Sequence, residues 1–116
     1  MTYTDSKEIP HVNTSDPIEV FCQEAPEVAS AFDGLIQSLV DTKGLDAKTK
    51  QLVYIGIKAA QGESTAIHYH VPMAKKLGAT RAEIRDVILL TLTTSGLKGV
   101  TSCLPVALKA YDEAGA

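Results

Sequence analysis

Residues 61–79 read "QGESTAIHYHVPMAKKLGA", and they carry different chemistry in a strand than in a helix. In a strand, alternate side chains share a face, so His68 and His70 could grip one metal ion. In a helix, at about 100° per residue, the same two side chains diverge by roughly 200° and cannot chelate together. The punctuation favours the helix. Gly62 precedes the segment, Gly78 follows its last apolar positions, and glycine is the usual residue just past a helix end.

The neighbouring segments carry the same signals. Thr80 and Glu83 form a capping box for "RAEIRDVILLTLTTS" (81–95). Upstream, Asp46 caps "AKTKQLVYIGIKAAQ" (47–61), which Gly62 terminates. Before that, Ala25–Pro26 starts a segment with Val28, Phe32, Leu35, Ile36, Leu39 and Val40 at helical spacing, stopping near Gly44. Asp16 caps a first helix, with Pro17 at its first position and Glu19 as capping-box partner. Gly96 and Gly99 loosen the chain before a last helix bearing Val106, Ala107, Ala110 and Tyr111, with Pro105 in or near its first turn. No stretch alternates with period two, so no strands are expected. The fold class is all-α: a bundle of about six helices over residues 16–116, behind a flexible leader at residues 1–15.

Composition narrows the function. The chain has 116 residues, enough for one domain, with 45% hydrophobic and 22% charged residues and no Trp. A net charge of −3 with interspersed signs carries no footprint for nucleic acid. The apolar run "VILLTL" is too short to span a bilayer. No charged segment leads into an apolar one at the N-terminus, so no signal peptide is expected. Cys22 and Cys103 stand in no metal-ligand spacing and are expected to be buried free thiols in a reducing, cytoplasmic setting. In the helix from Arg81, Ile84, Val87, Ile88 and Thr91 mark one face while Leu89, Leu90 and Leu92 cover much of the rest. Such a helix needs burial on most sides, and a small domain has few helices to supply it. A homo-oligomer is therefore expected.

Three chemistries compete for residues 61–70. The spacing G-x5-H-x-H opens a metal-binding motif of β-barrels, but Ala74 or Lys75 stands where that motif needs a glutamate. With the segment helical, no metal is expected. Acid–base chemistry rests on Glu63 and His70, which fall within about 20° of one helix face, two turns apart. Against this stand two plainer roles: Glu63 answering the helix dipole, and His70 as a hydrogen-bonded core residue. Pro72 should kink the helix and free the His68 carbonyl, which points to a shaped cavity beside the histidines.

From Leu45 onward the order of features resembles the carboxymuconolactone decarboxylase family, which includes alkylhydroperoxidase-D-like proteins. The family pattern L-x-x-K-x-x-E-L is met by Leu45, Lys48, Gln51 and Leu52, with Gln51 in the glutamate's place. The pattern C-x-x-C-x-x-x-H-x-x-x-A-x-x-x-G falls on Glu63, Ala66, His70, Ala74 and Gly78, and Glu83–Ile84 follow in frame. Both redox cysteines are replaced, and a thiol peroxidase needs an attacking and a resolving thiol. The family's CxxC peroxidase route is thus not expected. The resemblance instead implies decarboxylation or isomerisation of a small carboxylated lactone or organic acid without a cofactor. His70 would be the acid or base, Glu63 and Gln51 would position or polarise, and His68 and Tyr69 would form the rim. It also implies a trimer or hexamer. The other function considered is a non-catalytic binding or scaffold oligomer of the same fold.

Overall fold

The computed structural model describes residues 16–115, so the expected leader at 1–15 lies outside the described residues. The chain forms α1 (Pro17–Glu24), α2 (Pro26–Val40), α3 (Ala47–Ala60), α4 (Ser64–Lys76), α5 (Arg81–Leu90), α6 (Leu92–Ser95) and α7 (Lys98–Glu113). Among the described residues there is no strand, and α6 is a single turn. The all-α class and a count of six substantial helices match the sequence reading.

Local chemistry sets the boundaries. The Asp16 carboxylate accepts from the Ile18 amide at 2.9 Å, and that of Asp46 from the Thr49 amide at 2.7 Å. At α5 the box is complete: the Glu83 amide donates to the Thr80 hydroxyl at 3.0 Å, and the Thr80 amide donates to the Glu83 carboxylate at 2.8 Å. Lys48 of α3 reaches the same carboxylate at 3.2 Å, tying the start of α5 to the start of α3. α3 and α4 both end in glycines at positive φ, Gly62 at 75° and Gly78 at 101°. Past each glycine the next amide, Glu63 or Ala79, returns to a carbonyl five residues back, that of Lys58 or Ala74, at 2.9 Å. This is the Schellman arrangement, which satisfies carbonyls the helix end would otherwise leave bare.

The chain divides into two compact units at Lys43–Gly44. In the first, α1 and α2 pack with Phe21 edge-on to Phe32, centroids 6.1 Å apart, and bury Cys22 and Ala29. In the second, α3, α4, α5 and α7 surround an aliphatic core that includes Ile55, Ile67, Ile84, Ile88, Cys103 and Ala107. Both cysteines are buried and unpaired, as expected.

Three local expectations need correction. Residues 81–95 are not one helix. Thr91 is buried, and both its amide and its hydroxyl turn to the Ile88 carbonyl, at 3.0 and 2.6 Å, which breaks the run between α5 and α6. Pro105 lies in the middle of α7, not near its first turn. Pro105 and Thr101, whose carbonyl loses its donor there, are both exposed, so water can take up the bond. Gly99 does not loosen the chain: it is buried inside α7, where a Cβ would lie 2.5 Å from Thr91 Oγ1 and 2.7 Å from the Ala59 carbonyl oxygen. It allows α7 to close directly on the α3 backbone. Pro72 lies inside α4, which continues to Lys76.

One contact had no signal in the sequence. Lys75 of α4 donates to the Tyr111 and Ala114 carbonyls at 2.9 and 3.0 Å, serving as a cationic cap for the end of α7. Its ammonium lies 4.4 Å from the Tyr111 ring centroid, and the Tyr111 hydroxyl donates to the Ala79 carbonyl at 2.9 Å.

Candidate active site

Gln51, Tyr54 and Lys58 recur at three- and four-residue spacing, which puts them on one face of α3. His70 comes from α4, packed against that face. Its Nδ1 lies 2.9 Å from Gln51 Oε1, and its ring lies over Tyr54 with centroids 4.1 Å apart and a tilt of 33°. The Lys58 ammonium sits 5.7 Å from the centre of the same Tyr54 ring. All four side chains are partly buried.

The hydrogen bond selects a tautomer. A carbonyl oxygen can only accept, so with Oε1 toward the imidazole, Nδ1 carries the proton and Nε2 keeps its lone pair. Among the described residues Nε2 has no hydrogen-bond partner. Burial, and secondarily the positive charge of Lys58, hold the His70 pKa below the usual histidine value. At neutral pH the group is an uncharged imidazole with one free basic nitrogen.

The other expected site residues are placed as follows. Gln51 and His70 are brought together directly. Glu63 is the residue before the first turn of α4, with backbone φ −87° and ψ 77°, so the regular-helix geometry does not extend to it. Its carboxylate bears on Cys103 of α7, adding to the burial that raises that thiol's pKa. His68 and Tyr69 touch one another edge to face, centroids 5.4 Å apart, and both are exposed. His68 lines a groove of about 400 Å³ with Pro72, Lys76, Ala110 and Glu113, on the α7 side of α4. His68 and His70 therefore serve different neighbours, as the helical reading requires. Among the described residues no group of three His, Cys, Asp or Glu side chains could hold a metal ion.

Tyr54 was missed by the sequence reading, and Lys58 was not singled out there. Their signal was available: both share the helical face of Gln51 in a segment already read as a helix. Without knowledge of which face α4 covers, however, that face looks like any other mixed surface.

The fold is one shared with known proteins. The chain matches the carboxymuconolactone decarboxylase family over residues 26–109, and it belongs to that family. The uncharacterized protein MJ0742 of Methanocaldococcus jannaschii is 32% identical over 79% of this chain and 89% of its own. A second uncharacterized protein of that organism, MJ1511, is 30% identical over 80% of this chain and 91% of its own. Among solved structures the chain is similar to apo-lpg0406, a carboxymuconolactone decarboxylase family protein from Legionella pneumophila. That match has a TM-score of 0.74 and 28% identity, over 83% of this chain and 85% of the other. In this member the two cysteines stand on α1 and α7, not as a CxxC pair.

Proposed function

We propose that the protein is a cofactor-independent acid–base enzyme acting on a small carboxylated lactone or organic acid, with His70 Nε2 as the proton-transferring atom. The observation that carries this reading is the placement of His70: Nδ1 at 2.9 Å from Gln51 Oε1, the ring stacked on Tyr54, the pKa held below the usual histidine value by burial, and Nε2 without a partner among the described residues. In isomerisation, Nε2 would take a proton from the carbon beside the lactone carbonyl, and the imidazolium would return it at another carbon. In decarboxylation, the C–COO⁻ bond breaks as CO₂ leaves, its electron pair moves into the carbonyl as an enolate, and a proton taken up from water at Nε2 is passed to the carbon. Gln51 holds the ring throughout by accepting from Nδ1–H. The two buried thiols, Cys22 and Cys103, fit a reducing cytoplasmic setting.

The test is proton exchange and loss of CO₂ from a panel of carboxylated lactones in D₂O, followed by NMR with the wild type and His70→Gln. General acid–base catalysis typically contributes about 10²–10⁴-fold, and the variant should lose that much of any turnover found. Equal rates in the two proteins across the panel would sink the reading.

A homo-oligomer, a trimer or hexamer, is part of the same proposal. Leu90 and Leu97 are 68% and 67% exposed in the single chain, and Val53, Ile57 and Leu90 border an apolar groove of about 380 Å³ between α3 and α5. Contiguous apolar surface of this kind marks interaction sites. The same surface supports a second reading, an assembly or binding protein that keeps the fold without turnover. Sedimentation velocity tests the oligomer: a monomer at micromolar concentration would exclude it. If the oligomer persists in His70→Gln and no turnover is found in either protein, the second reading replaces the first.

A further inference from the structure

Lys58 has no acidic partner among the described residues: its ion-pair and hydrogen-bonding capacity is unused, and its ammonium rests near the face of Tyr54. Partly buried lysines ordinarily meet a carboxylate or extend their head into water. Here the ammonium lies 5.7 Å from the centre of the Tyr54 ring on which the His70 imidazole stacks, and its charge bears on His70. A cation placed this way repels any protonated form of His70, and an anion bound at Lys58 would offset that repulsion. The arrangement suits an anion held at the Lys58 ammonium, next to the stacked Tyr54–His70 pair.

We propose that Lys58 is the anion anchor of the His70 site, holding the carboxylate of a small organic acid. A single ammonium on a flexible stem is a point charge, matched to a monoanion. Phosphate sites usually gather several donors, such as an arginine fork or a helix N-terminus with free amides, and neither accompanies Lys58 in this cluster. Anchoring the acid at Lys58 leaves its reactive carbon to be presented to His70. This deepens the acid–base reading and rests on it for the ligand's fate, but anion binding itself can be measured separately.

The experiment is an NMR titration with sodium benzoate, using benzamide as the neutral isostere and inorganic phosphate as the alternative anion. Saturable shifts of the Tyr54 ring and Lys58 side-chain resonances are expected with benzoate and not with benzamide. Lys58→Gln should weaken benzoate binding about fivefold or more, fivefold being equivalent to about 1 kcal/mol, whereas Lys58→Arg should retain it. His70→Gln should also retain it, because the anchor does not need the base. Unchanged benzoate affinity in Lys58→Gln, equal binding of benzamide, or a preference for phosphate over benzoate would overturn the assignment. The two readings fail separately. Benzoate binding that survives in His70→Gln, with no turnover in the wild type, keeps the anchor and rejects the enzyme. Turnover that depends on His70 but keeps its KM in Lys58→Gln rejects the anchor alone.

Discussion

Gly99→Ala probes the packing that aligns α7 with the site-bearing α3. The new methyl would meet Thr91 Oγ1 at 2.5 Å and the Ala59 carbonyl oxygen at 2.7 Å, both closer than real Cβ contacts come. Neither obstacle yields easily. The Thr91 hydroxyl is buried and donates to the Ile88 carbonyl at 2.6 Å, and the Ala59 carbonyl is α3 backbone that accepts from the Gly62 amide at 3.0 Å. Overpacking of this kind typically costs about 1–3 kcal/mol and occasionally more. With two contacts under 3 Å the upper end applies, offset by about 1 kcal/mol of gained helix propensity. The net expectation is a loss of about 2 kcal/mol, or roughly 10 °C in Tm for a chain of this size. Urea unfolding followed by circular dichroism, at fixed protein concentration, measures it. Gly34→Ala in α2 is the control: nothing lies within 4 Å of its added methyl, so it should be neutral or gain up to about 1 kcal/mol. Adding Thr91→Ala to Gly99→Ala should recover part of the loss, because the Ala59 carbonyl contact remains. Because Ala59 follows Lys58, the Tyr54 and His70 resonances should also move. A Gly99→Ala protein as stable as the wild type would refute the close-approach argument.

The remaining expectations concern charge. Gln51→Glu places a carboxylate against His70 Nδ1 and should raise the His70 pKa, reversing the present depression; a histidine NMR titration reads this directly. Because the folded pKa of His70 lies below its unfolded value of about 6.5, the unfolded chain binds more protons between the two values. Stability from this group is therefore complete above about pH 6.5 and is lost as pH falls toward the folded pKa, and His70→Gln should flatten that part of a stability–pH curve. Lys75→Met removes two charge-assisted bonds to the last carbonyls of α7 and should cost about 1–2 kcal/mol in urea unfolding. No change would mean water replaces the cap at no loss.

Much of the architecture was legible because it depends on short-range chemistry. Asp46, the Thr80–Glu83 box, Gly62 and Gly78 act within one turn of their own positions, and their spacing announces helix ends whatever surrounds them. The helical period likewise settled that His68 and His70 part company. Where the sequence reading failed, the missing information was which segments meet. Gly99 looks like a flexible joint until Ala59 and Thr91 are seen against it, and Thr91 looks like one more helical residue until it is buried. Pro105 reads as a helix-start residue because nothing local says its side of α7 is exposed.

The site divides along the same line. His70 and Gln51 stand in the family frame, so the sequence alone named the imidazole and its amide partner. Only the packing of α4 on α3 decided that Gln51 bonds Nδ1, that Tyr54 stacks on the ring, and that Lys58 supplies the neighbouring charge. It also brought the Glu63 charge to bear on Cys103 and set His68 in a groove bordered by α7. The physical reason is range. Helix propensity, capping and periodicity act over a few residues, and one sequence states them completely. The tautomer and basicity of an imidazole instead depend on groups several ångströms away in space and up to nineteen positions away in the chain, and only the tertiary fold brings them together.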